Sequence, residues 1–203
     1  MLNMTKNKLL LLILLVFISS CNKSFDTQEE MNAYIQDEDN GYVYKKTISG
    51  VDYVLQYRPT DLLVKQELGD KTDPAQIEKF RKQYSKYMYF NLSMSKNDQE
   101  LLNGVAQDKA KFGQMVNELA FGMEEKLHVY TPTKDTLALA DFIYPRMYGM
   151  SNSTSIMIVY PRDEKYMKQE YLNFVIEDLG LETGDVKFKL NTKALINEPQ
   201  LAF

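Results

Sequence analysis

The sequence predicts a single α+β domain, with helices mainly in its first half and an antiparallel β-sheet or sandwich in its second. Three observations lead there. The 203 residues are 44% hydrophobic and 26% charged, a mixture that can bury one ordinary core and does not read as disordered. Apolar residues recur at helical spacing in several stretches before residue 120, whereas later stretches alternate apolar and polar with the period of a strand. No Pro-rich or Gly/Ser-rich linker and no solenoid-type repeat divides the chain, so residues 28–203 read as one unit.

The opening segment stands apart from the fold. Lys6 and Lys8 precede the uninterrupted apolar run Leu9 to Phe17, which Ile18 extends. The run is well short of the roughly 18 residues a bilayer-spanning helix needs. Small residues Ser19 and Ser20 follow, then Cys21, the only cysteine. This order predicts a secretory signal over residues 1–20. The ending Ile18-Ser19-Ser20-Cys21 resembles the lipobox of bacterial lipoproteins, with an aliphatic residue three before the cysteine and small residues just before it. The resemblance covers the export signal alone. It implies that the Cys21 thiol receives a diacylglycerol, that the signal is cut before it, and that the new α-amine is acylated as well. One acyl chain binds a membrane marginally; two or three, at about 0.8 kcal/mol per buried methylene, make departure very slow. The membrane is therefore the expected partner, through acyl chains on Cys21.

Residue 22 is Asn. In enteric-type bacteria an Asp at that place resembles an inner-membrane retention signal, so its absence implies the outer membrane and leaves open which side the domain faces. Tyr- and Asn-rich strands, with segments such as Asn40-Gly41 and Tyr57-Arg58-Pro59, resemble envelope lipoproteins of the Bacteroidota. That resemblance implies no activity.

Composition narrows the chemistry. One cysteine and one histidine exclude an internal disulfide framework and a zinc cluster, and no cofactor is implied. Residues 1–20 hold two lysines and no acids, so the processed chain carries 22 basic and 28 acidic residues, a charge of −6. An acidic chain argues against nucleic acid and against general attraction to anionic head groups.

Residues 21–27 read as the lipidated cysteine and a short polar tether, whose six residues after Cys21 reach at most ~20 Å. Thr27 suits the N-cap of a helix from Gln28, with Met31, Tyr34 and Ile35 on one face. Asp39-Asn40-Gly41 ends it. Tyr42 to Ile48 and Val51 to Tyr57 form a hairpin around Ser49-Gly50. Pro59 stops the second strand, and Leu62, Leu63 and Leu68 mark a short helix closed by Gly69. Asp73-Pro74 opens another helix, whose Lys79, Arg81, Lys82 and Lys86 read as a solvated face. Met88, Phe90, Leu92 and Met94 mark a strand. Asn97 then caps a helix, with Glu100 in the capping-box position and Phe112, Met115, Val116 and Leu119 on its apolar face. Residues 126–131, 136–144, 154–160 and 185–190 read as strands. Residues 171–177 fit a strand or a helix, and Gly180 and Gly184 suit a hairpin connection.

Candidate chemistry is sparse. His128, between Leu127 and Val129, reads as a surface or structural residue. Acidic groups at Asp37-Glu38-Asp39 and around Glu177, Asp178, Glu182 and Asp185 lack EF-hand spacing and read as turn caps. The distinctive feature is a doubled tripeptide, Tyr144-Pro145-Arg146 and Tyr160-Pro161-Arg162, each ending an expected strand. With Tyr148 between them, Tyr144, Arg146, Tyr160 and Arg162 are the candidate ligand-binding residues, because Tyr and Arg dominate recognition hot spots. A core-edge Tyr and a carboxylate-paired Arg are the structural alternative. The leading expectation is a membrane-anchored envelope lipoprotein serving as a non-catalytic binding or scaffolding module for an envelope protein. A glycan-binding lipoprotein comes second, and an envelope hydrolase third.

Overall fold

The computed structural model describes residues 23–69, 71–147 and 149–203; Cys21 and Tyr148 lie outside the described residues. In chain order the elements run β1 (Ser24–Phe25), α1 (Gln28–Gln36), β2 (Val43–Ile48), β3 (Val51–Arg58), α2 (Thr60–Leu68), α3 (Pro74–Tyr84), β4 (Tyr87–Lys96), α4 (Leu101–Val105) and α5 (Lys109–Asn117). A π turn (Glu118–Gly122) leads into α6 (Met123–Lys126), β5 (Leu127–Tyr130), β6 (Thr136–Leu137), β7 (Asp141–Ile143) and β8 (Thr154–Pro161). The chain then forms α7 (Glu164–Met167), β9 (Tyr171–Ile176), β10 (Val186–Asn191), α8 (Thr192–Ile196) and β11 (Gln200–Leu201).

Alternation decides which side of each strand is buried. Val51, Tyr53, Leu55 and Tyr57 of β3, and Met88, Phe90, Leu92 and Met94 of β4, are all essentially inaccessible. Their neighbours point to the other face, as a period of two requires. β2-β3-β4-β8-β7 form an antiparallel five-stranded sheet, and β10-β9-β5-β6 an antiparallel four-stranded one. The buried faces meet in one core. Phe174 of β9 lies 5.7 Å from the Phe90 ring of β4 and 6.1 Å from the Tyr160 ring of β8. The fold is thus α+β with a face-to-face sheet pair. Helices are denser before residue 127, but the expected division into halves is loose: β2, β3 and β4 also lie there, and α7 and α8 lie late.

Local signals explain most boundaries. Thr27 Oγ1 accepts from Glu30 N at 3.2 Å and starts α1. Asp73 accepts from Ala75 N at 3.0 Å, with Pro74 at the first position of α3. Ser49 and Gly50 both take positive φ, 52° and 75°, as the tight β2–β3 turn requires.

Three expectations are corrected. Asn97 does not cap a helix: Asn97 and Asp98 make a left-handed turn (φ 54° and 55°), and α4 begins only after Glu100. Short polar side chains tolerate that conformation. The helical stretch breaks again before Asp108, whose carboxylate caps Ala110 N and Lys111 N. Residues 136–144 are not one strand, because β6 pairs in the smaller sheet and β7 in the larger. Finally, residues 24 and 25, expected to be part of a polar tether, form the strand β1. Ser24 and Phe25 pair in parallel with Gln200 and Leu201, through Gln200 N–Lys23 O and Ala202 N–Phe25 O bonds of 2.9 Å each. Phe25 is apolar, and its ring packs 5.2 Å from that of Tyr34.

Candidate binding site

The two ends of the larger sheet differ in chemistry. At one end lie the start of β8 and the finish of β4, with Met94 opposite Thr154. There Thr154 Oγ1 accepts from Leu101 N at 3.0 Å, fixing the start of α4. The preceding Glu100 is 3% exposed. Its two carboxylate oxygens each accept a 3.2 Å bond, from Gly149 N and from Ser151 N. A buried carboxylate thus ties the 149–151 loop to the start of α4, and charge-assisted bonds of this kind are the stronger ones. Gly149 sits at φ +79°, where a side chain would be strained.

Between this loop and the α4–α5 pair runs a groove of about 320 Å³. Leu102, Phe112, Val116 and Tyr144 give it an apolar lining, and Asn103, Arg146 and Glu100 supply polar atoms. Phe112 is 39% exposed, so the α5 face read as core is partly a groove wall. Tyr144 follows β7, half-buried and packed against the core. Arg146 is exposed and forms no ion pair among the described residues. Met147 and Met150 extend the exposed apolar surface beside it.

The second tripeptide lies at the other end of β8 and is structural. Tyr160 is fully buried, and burial pushes its hydroxyl pKa up. Its Oη has no hydrogen-bond partner among the described residues. Arg162 donates to Leu195 O at 2.9 Å, to Glu198 Oε1 at 3.1 Å, and to the Tyr57 hydroxyl oxygen. Glu198 also accepts from Tyr57 Oη at 2.7 Å, Thr60 N at 2.9 Å and Thr60 Oγ1 at 2.8 Å. Burial, followed by the Glu198 charge, holds the Tyr57 hydroxyl well above its usual pKa. Beside this cluster Asp61 takes a bidentate pair of 2.7 Å bonds from Arg81 and accepts from Leu201 N at 2.8 Å. Tyr144 and Arg146 are therefore brought to the groove, while Tyr160 and Arg162 are not on an open rim.

His128 Nε2 lies 3.0 Å from Glu177 Oε1, and Lys126 Nζ donates to Glu177 Oε2 at 3.4 Å. The histidine bond, first, and the lysine lower the Glu177 pKa. Asp178 accepts from Leu181 N and Gly184 N, and Asp37 from Asp39 N, so these acids cap turns. Among the described residues no group of three His, Cys, Asp or Glu side chains is arranged to hold a metal, and no helix is long and apolar enough to cross a membrane.

Glu100, Leu102, Asn103, Phe112 and Val116 went unrecognised as site residues. The spacing of Phe112 and Val116 marks an apolar face but does not say what faces it. No family model, curated protein or solved structure matches the chain.

Proposed function

We propose that this protein is a lipid-anchored envelope lipoprotein, held in the outer membrane by acyl chains on Cys21, whose domain is a non-catalytic module binding another envelope protein. The sequence Ile18-Ser19-Ser20-Cys21 behind Lys6, Lys8 and the Leu9 to Phe17 run carries the anchor. The groove of Phe112, Leu102 and Tyr144 supports the binding role, because it combines apolar area with the exposed cation of Arg146, which forms no ion pair among the described residues. Fatty-acid labelling tests the anchor: Cys21→Ala abolishes labelling and sedimentation with vesicles, and retention of both refutes it. Gentle cross-linking in intact envelopes tests the binding. A specific adduct lost in Arg146→Glu supports it, and recovery of wild type as a partner-free monomer overturns it.

Glycan binding is the second reading, favoured by Tyr144 and the Asn103 amide sharing one groove. It now rests on Tyr144 and Arg146, because Tyr160 is inside the core. Failure of the folded domain to bind any envelope or nutrient glycan on an array removes it.

A further inference from the structure

Two peptide steps separate Cys21 from Lys23, and each consecutive Cα pair is about 3.8 Å apart. The anchor residue therefore lies within about 7.6 Å of Lys23, wherever the intervening residue points. Lys23 is fixed, because its carbonyl accepts from Gln200 N. Gln200 is fixed in turn, through the neighbouring Leu201 N–Asp61 bond and the Arg81 Nη2–Leu201 O bond of 3.0 Å.

These residues all gather at one end of the larger sheet. Asp61 follows the finish of β3, Arg162 follows the finish of β8, and Arg162 N bonds Lys86 O just before β4. The groove and its Glu100-tied loop lie at the opposite end. The β4–β8 ladder measures the separation: it runs from Tyr87 opposite Pro161 to Met94 opposite Thr154. Seven strand steps at about 3.3 Å make roughly 23 Å.

Building on the lipid anchor proposed above, we infer that the pole formed by Lys23, Gln200 and the exposed side of α3 is the face that rests on the bilayer. The groove of Phe112, Tyr144 and Arg146 is then held at the far pole, more than 20 Å out, facing whatever lies across from the membrane. A tether of two residues leaves little room for the domain to turn over. The polar groove between Arg81, Lys82, Glu198 and Gln200, about 360 Å³, belongs to the near pole and faces head groups and water.

The lipidated sulfur is a thioether, so one introduced cysteine supplies the only free thiol in the full-length protein. Gln200→Cys and Lys82→Cys report the near pole, and Asn152→Cys the far pole; all three positions are exposed. Each is labelled with a fluorophore, and the lipidated protein is reconstituted into phosphatidylethanolamine–phosphatidylglycerol vesicles carrying a head-group energy acceptor. Transfer at 200 and 82 is expected to exceed that at 152 by about threefold or more, given the ~23 Å difference in height. Protein that floats with the vesicles but shows equal or reversed transfer overturns the orientation while leaving the anchor intact. Protein that does not float removes the anchor, and the orientation with it. Two near-pole positions keep the result readable if one variant folds poorly.

Discussion

Alkali should unfold this domain through its buried tyrosines. Tyr42, Tyr57 and Tyr160 are 3%, 1% and 0% exposed. Burial is the leading cause that holds each hydroxyl in its neutral form, with the Glu198 charge adding to the effect at Tyr57. Below pH 10 these residues are neutral in both folded and unfolded chains and do not affect the pH dependence. Above pH 10 the unfolded chain releases their protons and the folded one does not, so stability falls as pH rises. A group that ionises only when unfolded costs about 1.4 kcal/mol at pH 11, and three together about 4 kcal/mol. That is a large fraction of the 5–15 kcal/mol typical of a whole domain. Urea midpoints at pH 8, 10 and 11, followed alongside tyrosinate absorbance, test this. The midpoint should drop steeply between pH 10 and 11, and the last tyrosines should ionise only with unfolding. An unchanged midpoint at pH 11, or all 14 tyrosines titrating near pH 10 in a folded protein, refutes the reasoning.

Glu198→Ala should destabilise by about 3 kcal/mol, because it strands the mostly buried Arg162 and the Thr60 amide; thermal melting should move down by ~6–12 °C. Glu100→Ala removes the acceptor for two loop amides and should cost about 2 kcal/mol, with new proteolytic cleavage near residues 147–153 as its signature. Phe174→Ala empties the contact between the two sheets and should cost ~3–5 kcal/mol in a urea titration. Phe25→Ser should release the β1–β11 pair, read as faster amide exchange at Gln200 and Ala202 with the sheet core unchanged.

Features written in neighbouring residues were legible in the sequence. Thr27, Ser49-Gly50 and Asp73-Pro74 each fix a boundary through contacts a few positions away, and the alternation of β3 and β4 names its own buried face. Distance along the chain hid the rest. Two-residue strands such as β1 and β11 carry no periodic signal and exist only because they meet. Glu100 reads as a capping-box residue, yet it precedes α4 and its carboxylate reaches a loop some fifty positions on. The doubled Tyr-Pro-Arg shows the limit most directly. Identical letters at 144–146 and 160–162 end up as groove wall and core clasp, because the sheet places one near the finish of β4 and the other near its start. Likewise the apolar spacing of α5 marks Phe112 and Met115 alike, and only packing separates the 39% exposed ring from the 6% exposed thioether.

The parallel pairing of Ser24 with Gln200 also bears on how the molecule matures. A chain crossing a membrane from its amino end delivers residue 24 early and residue 200 late. Joining ends so far apart carries a closure entropy of roughly 4–5 kcal/mol before any contact compensates. If Cys21 is exported and acylated as proposed, the stretch beside it stays open while the rest of the polypeptide is still arriving. On the same proposal, its docking onto the late-arriving strand draws the finished domain down toward the lipid.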